Sequence, residues 1–71
     1  MKNIELINNI GEIVYINGLG DLAFCVELRP LIYNKNPLKL IKITKSGLAY
    51  LQSEDGKFYT VPPRNVYKNQ E

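Results

Sequence analysis

Turn-forming residues punctuate this chain at short, even intervals. Asn8-Asn9-Ile10-Gly11, Asn17-Gly18-Leu19-Gly20-Asp21, Asn34-Lys35-Asn36-Pro37, Lys45-Ser46-Gly47 and Ser53-Glu54-Asp55-Gly56 each join residues that tolerate positive φ or interrupt a ladder. The stretches between them, residues 4–7, 12–16, 22–29, 38–44, 48–52 and 57–61, are short and rich in β-branched and aromatic side chains. Short strands joined by such turns read as a small sheet or barrel. With 71 residues there is room for a single domain, residues 1–71. Surface scaling gives roughly 4,500 Å² exposed when folded against roughly 11,700 Å² extended, so the core is thin. A chain of this kind needs an economical topology, a partner or a second copy.

The hairpin of residues 48–61 is the strongest local signal, because Asp55-Gly56 suits a primed two-residue turn. A loop of two or four residues puts Leu48, Tyr50 and Gln52 on one face with Lys57, Tyr59 and Val61. It puts Ala49 and Leu51 on the other with Phe58 and Thr60. Residues 22–29 alternate cleanly, with Leu22, Phe24, Val26 and Leu28 on one face, and are read as a strand. The expected core is Ile4, Leu6, Ile13, Leu22, Phe24, Val26, Leu28, Leu40, Leu51 and Phe58, with Ile16 and Val61.

Two segments carry a helical alternative. Residues 2–10 have apolar side chains at 4, 7 and 10, with Asn3 placed as an N-cap and Gly11 as a C′ residue. Asn36-Pro37 is a good N-cap and first-turn pair for residues 37–45.

Charge is laid out unevenly along the chain. Residues 1–28 carry Lys2 against Glu5, Glu12, Asp21 and Glu27, while residues 29–52 carry Arg29, Lys35, Lys39, Lys42 and Lys45 with no acid. This cationic middle third is the candidate contact surface, and Arg29, Tyr33, Lys35, Lys39, Lys42 and Lys45 are its candidate binding residues. The plain alternative is that the lysines are solvated and guard strand edges against sheet-to-sheet pairing.

The sequence offers little to catalysis. It has no histidine, the commonest general base and zinc ligand. Its one cysteine, Cys25, has no partner for a disulfide and no group to activate it. Gly18-Leu19-Gly20 lacks the third glycine and following helix of a phosphate loop and reads as a turn. No enzyme activity, cofactor or metal is expected. No apolar run approaches the ~18 residues of a membrane span, and the N-terminal segment lacks a signal-peptide core, so a cytoplasmic protein with no membrane contact is expected. Many Asn, Ile and Lys against few Arg and Ala suggest an AT-rich coding sequence, as in low-GC bacteria, their phages and plasmids.

Two stretches resemble the small barrels of the SH3-like, KOW and Tudor group. IELINNIGEIVYI, residues 4–16, is similar to the strand, Gly turn and strand that open KOW-type modules. GLAYLQSEDGKFYTVPPRNVY, residues 47–67, is similar to the closing hairpin of SH3-like barrels, where an Asp-Gly turn joins two strands and a Pro-containing 3₁₀ turn leads to a short last strand. The resemblance implies an all-β fold, a small five- or six-stranded antiparallel SH3-like barrel, and through KOW modules it implies contact with RNA or ribosomal partners. The tryptophan of proline-binding SH3 grooves is absent. A second resemblance lies in Thr44-Lys45-Ser46-Gly47-Leu48-Ala49-Tyr50-Leu51, similar to the Thr-x-x-Gly-x-x-x-Leu stretch of winged-helix DNA-binding proteins. The first functional expectation is a non-catalytic adaptor or inhibitor that binds a protein partner. A nucleic-acid-binding barrel with a basic face comes second, and a winged-helix fragment third. Self-association through an exposed strand edge is a further expectation.

Overall fold

The computed structural model describes residues 6–68. Five strands carry the fold: β1 (Ile13–Ile16), β2 (Leu38–Ile43), β3 (Ala49–Ser53), β4 (Phe58–Val61) and β5 (Val66–Tyr67). They form one antiparallel sheet in the order β4-β3-β2-β1-β5. The all-β expectation and the strand count of five agree with this arrangement. The sheet is open: β4 and β5 are its two edges, and no ladder joins them among the described residues. β1 serves two neighbours in turn. Ile13 and Val14 pair with β2, and Tyr15 and Ile16 pair with β5. Splitting one strand between two ladders lets so short a sheet coil around its own core.

The expected strand over residues 22–29 is not formed. That segment contains two 3₁₀ turns, Leu22–Phe24 and Val26–Leu28, which run into α1 (Arg29–Tyr33) with Pro30 in its first turn. A 3₁₀ helix repeats every three residues, and Leu22, Leu28 and Leu31 sit at multiples of that spacing. Leu28 and Leu31 are buried, together with Ile32, and Leu22 packs on the core, while Cys25 between them is exposed. Phe24 and Val26, on the other side of the turns, are 75% and 72% exposed. Their alternation was real, but no neighbouring strand takes up the segment, so a period of three prevails.

The helical alternative over residues 37–45 also fails. Helix α1 lies upstream, closes at Asn34, and Lys35 takes a left-handed φ of 52° to reverse the chain into Pro37 and β2. The Thr44–Gly47 stretch is the turn between β2 and β3: Gly47 N donates to Thr44 O at 2.9 Å and Thr44 N to Leu48 O at 2.8 Å. The stretch of residues 44–51 that resembles winged-helix proteins is thus a turn running into β3, and the longest helix bounded within the described residues has five residues. Leu6 and Ile7 are helical and lead into a turn; Ile4 lies outside the described residues.

The core lies between the inner face of the sheet and the connection that spans residues 17–37. Val14, Ile16, Leu38, Leu40, Ala49, Leu51, Val61 and Val66 come from the strands, and Leu6, Leu28, Leu31 and Ile32 cover them. Full burial of each large side chain contributes about 1.5–3 kcal/mol. Ile13 and Phe58, expected inside, are instead 49% and 51% exposed. Among the described residues the one buried polar residue is Asn65, in the 3₁₀ turn Pro63–Asn65. Its Nδ2 donates to Asn17 Oδ1 at 2.9 Å, Leu19 O at 2.9 Å and Asn17 O at 3.2 Å, and Asn17 N donates back to Asn65 O at 2.8 Å. This polar knot ties the start of the connection to the turn before β5. No helix among the described residues is long and apolar enough to cross a membrane.

A candidate binding face on the outer side of the sheet

The length of one turn decides what the outer face presents. Ser53 N donates to Lys57 O at 2.8 Å and Gly56 N to Ser53 O at 3.0 Å, so the β3–β4 loop holds three residues, Glu54, Asp55 and Gly56. Gly56 has φ of 92°, the left-handed position that closes a type I turn with a bulge. An odd loop reverses the parity expected from an even one. The register pairs Ala49 with Val61, Tyr50 with Thr60, Leu51 with Tyr59 and Gln52 with Phe58. Ala49, Leu51 and Val61 therefore go inward together, and Tyr50, Gln52, Phe58 and Thr60 go outward.

A second irregularity works on β2. Lys39 and Lys42 are three residues apart and would point to opposite faces of a regular strand. The register shifts between Leu40 and Lys42, and Lys39 pairs with Gln52 while Lys42 pairs with Tyr50. The bulge thus brings both lysines to the outer face. Ile13 is opposite Lys39, and Tyr15 is opposite Tyr67 at the far end, their ring centroids 5.9 Å apart.

The face that results is cationic and aromatic. Lys42 Nζ stands 5.3 Å from the centroid of the Tyr50 ring. Tyr50 and Phe58 stack with centroids 5.2 Å apart and planes 9° apart. They sit diagonally on neighbouring strands, within reach for long side chains. No carboxylate occupies an outward position on the five strands. Among the described residues acids stand at its border, where Glu27 lines a pocket with Lys57, Phe58 and Tyr59 at the β4 edge. Glu54 lines a shallow groove with Ile13, Pro37, Lys39 and Gln52, and Glu12 is bridged by Lys68 at 3.6 Å.

The six candidate residues read from the sequence divide between two places. Lys39 and Lys42 lie on the face, and Lys45 is exposed in the turn that ends β2. Arg29, Tyr33 and Lys35 lie on the connection, which packs against the inner side of the sheet. Arg29 Nε is engaged by Ala23 O at 3.0 Å. Ile13 and Phe58, expected in the core, belong to this face, whereas Tyr50 already alternated with the expected core residue Leu51. The signal available for Phe58 was the triplet Glu54-Asp55-Gly56, which fits a three-residue loop as well as a two-residue one. Cys25 is exposed, and among the described residues no three His, Cys, Asp or Glu side chains converge as a metal site. No family model matches the chain, and no curated protein or solved structure matches it.

Proposed function

We propose that this chain is a non-catalytic interaction module of SH3-like barrel type, a small adaptor or inhibitor working inside the cell, which grips an anionic partner through the outer face of its sheet. The barrel reading draws support from the strand order, from the way β1 bends between two ladders, and from the 3₁₀ turn Pro63–Asn65 that precedes the short β5. The observation that carries the functional reading is the company kept by Lys39 and Lys42. They share a face with half-exposed Ile13 and Phe58, and no outward carboxylate on the strands neutralises them. Apolar groups left in water beside unpaired charge suit a surface that is covered in use.

Heparin tests the reading as a plain polyanion. The wild-type chain is retained on heparin at low salt and released as salt rises. Lys39→Glu with Lys42→Glu and Lys45→Glu abolishes retention while the melting transition stays in place, since all three side chains are exposed. Unchanged retention of the triple variant removes the outer face as the contact surface.

A second reading rests on a separate observation. Leu19, Phe24, Val26 and Tyr33 are all large, apolar or aromatic, and exposed along the connection. A protein partner, or a second copy of the chain, would cover them. Sedimentation across a range of concentrations measures the self-association case, and Phe24→Ser with Val26→Ser returns any dimer to monomer. A wild-type chain that stays monomeric at high concentration removes self-association from this reading.

A further inference from the structure

The outer face is organised more finely than its charge, and the following rests on the reading of that face as the contact surface. Lys42, Tyr50 and Phe58 lie on three successive strands. Tyr50 meets the Lys42 ammonium from β2 and the Phe58 ring from β4. Among the described residues β4 pairs with β3 alone, so no strand lies beyond Phe58. The row ends in an aromatic ring at the margin of the sheet, half exposed and stacked from within. Gln52, paired with both Lys39 and Phe58, sets an amide beside it.

We propose that this face binds single-stranded nucleic acid, with an unpaired base stacked on Phe58 and the phosphate backbone crossing the sheet to Lys42 and Lys39. The partner must bring negative charge for the lysines and a flat ring for the stack. A carboxylate-rich peptide brings only the first, and its charges are repelled by the electron-rich faces of Tyr50 and Phe58. A nucleotide brings both, and stacking on an aromatic side chain is open to every base. Duplex bases already have their faces covered, so the single strand is the form that fits. The distance suits a short stretch of strand: Lys39 and Phe58 both pair with Gln52 and are separated by two strand spacings, roughly 10 Å.

Fluorescence anisotropy of the full-length chain with labelled oligothymidylate tests this, with a matched duplex and labelled poly-glutamate as the other probes. The single strand binds tightest. Phe58→Leu, which keeps an apolar side chain and removes the ring, weakens it about 5- to 150-fold. Phe58→Tyr restores it, and neither changes heparin retention. Lys39→Ala with Lys42→Ala flattens the slope of log affinity against log salt by about 1.4, the value for two phosphate contacts on a single strand. Equal affinity for the duplex, or indifference to Phe58→Leu, overturns the proposal. Poly-glutamate binding as tightly as the oligonucleotide overturns it in favour of an acidic protein. If heparin holds the chain through the three lysines but oligothymidylate shows no preference, this inference fails alone. If heparin does not hold it, the outer-face reading fails with it.

Discussion

The meander of β2, β3 and β4 and the connection over residues 17–37 are built from similarly apolar sequence and solve opposite problems. In the meander, alternation is translated into burial: Leu38 and Leu40, Ala49 and Leu51, and Val61 go inward, and their neighbours go out. In the connection, an alternation just as clean over residues 22–28 is ignored. Leu28 is buried, Leu22 is half-buried, and Phe24 and Val26 stand in water. The difference is the neighbour. A strand needs a ladder to define its two faces, and the meander supplies its own through two tight turns. The connection has to cross the open side of the sheet, where short 3₁₀ turns reach further round a corner than an unpaired strand. Hydrophobic period therefore reports structure only where local turn chemistry supplies a partner.

The sharpest way to break that comparison is to truncate one large apolar residue in each region. Leu51 is fully buried at the centre of the sheet. Leu51→Ala should cost about 2–5 kcal/mol, a large share of the stability of so small a domain, and either unfold the chain or lower its urea midpoint steeply. Phe24→Ala removes a larger side chain and should change stability by less than about 0.5 kcal/mol. Equal losses in the two variants would mean that the connection buries Phe24 in solution and that the contrast is wrong.

Next in size is the knot that joins the two regions. Asn65→Ala leaves Asn17 Oδ1, Asn17 O and Leu19 O without the donor they share. The expected loss is about 1–2 kcal/mol, because the acceptors are only partly buried and Asn17 Oδ1 keeps the Leu19 amide at 3.0 Å. Hydrogen exchange should show where it is felt. Amides of residues 17–28 lose protection before those of β3, because the knot anchors the connection and the meander is held by its own ladders. Uniform loss of protection across both regions would show that they open as one unit.

Much of the meander was legible because its signals are local. Asp55-Gly56 located a hairpin, and Lys39 and Lys42 were picked out as one surface. What was not legible was the one-residue detail that sets parity. A loop of three residues rather than two turned Phe58 outward to join Tyr50, and the bulge near Ile41 turned Lys42 to join Lys39. Neither leaves a mark in composition. Asn65 was illegible for another reason. Its partners, Asn17 and Leu19, are 48 and 46 residues away, and nothing near it predicts the meeting. Arg29, Tyr33 and Lys35 were grouped with the lysines by proximity in sequence, and the fold carries them to the connection.

Gly56 sharpens the account of the turn at a smaller cost. A Cβ built there meets nothing within 4 Å, yet φ is 92°, so a substitution is strained by backbone conformation alone. Gly56→Ala should cost about 1 kcal/mol and leave the register intact. Gly56→Asn should recover part of that loss, because Asn tolerates the left-handed region better than Ala. An Ala variant as stable as wild type would show that the loop can relax to another length, and the parity argument for Tyr50 and Phe58 would weaken with it.

The smallest effect is electrostatic and belongs to the same turn. Asp55 accepts the Ser53 hydroxyl and, at 3.3 Å, the Lys57 amide, and these bonds, with the nearby Lys57 charge, hold its carboxyl below the usual carboxylate range. A carboxyl depressed in the folded state gives stability that is complete above its unfolded value and is lost as pH falls through the folded one. The wild-type urea midpoint should thus drop slightly below about pH 4, and Asp55→Asn should start lower at neutral pH and lack that part of the decline. Because hydrogen bonds rank ahead of the Lys57 charge, added salt should leave most of the difference in place. The same acid limb in Asp55→Asn as in wild type would place the acid sensitivity elsewhere and leave the turn held by its backbone bonds alone.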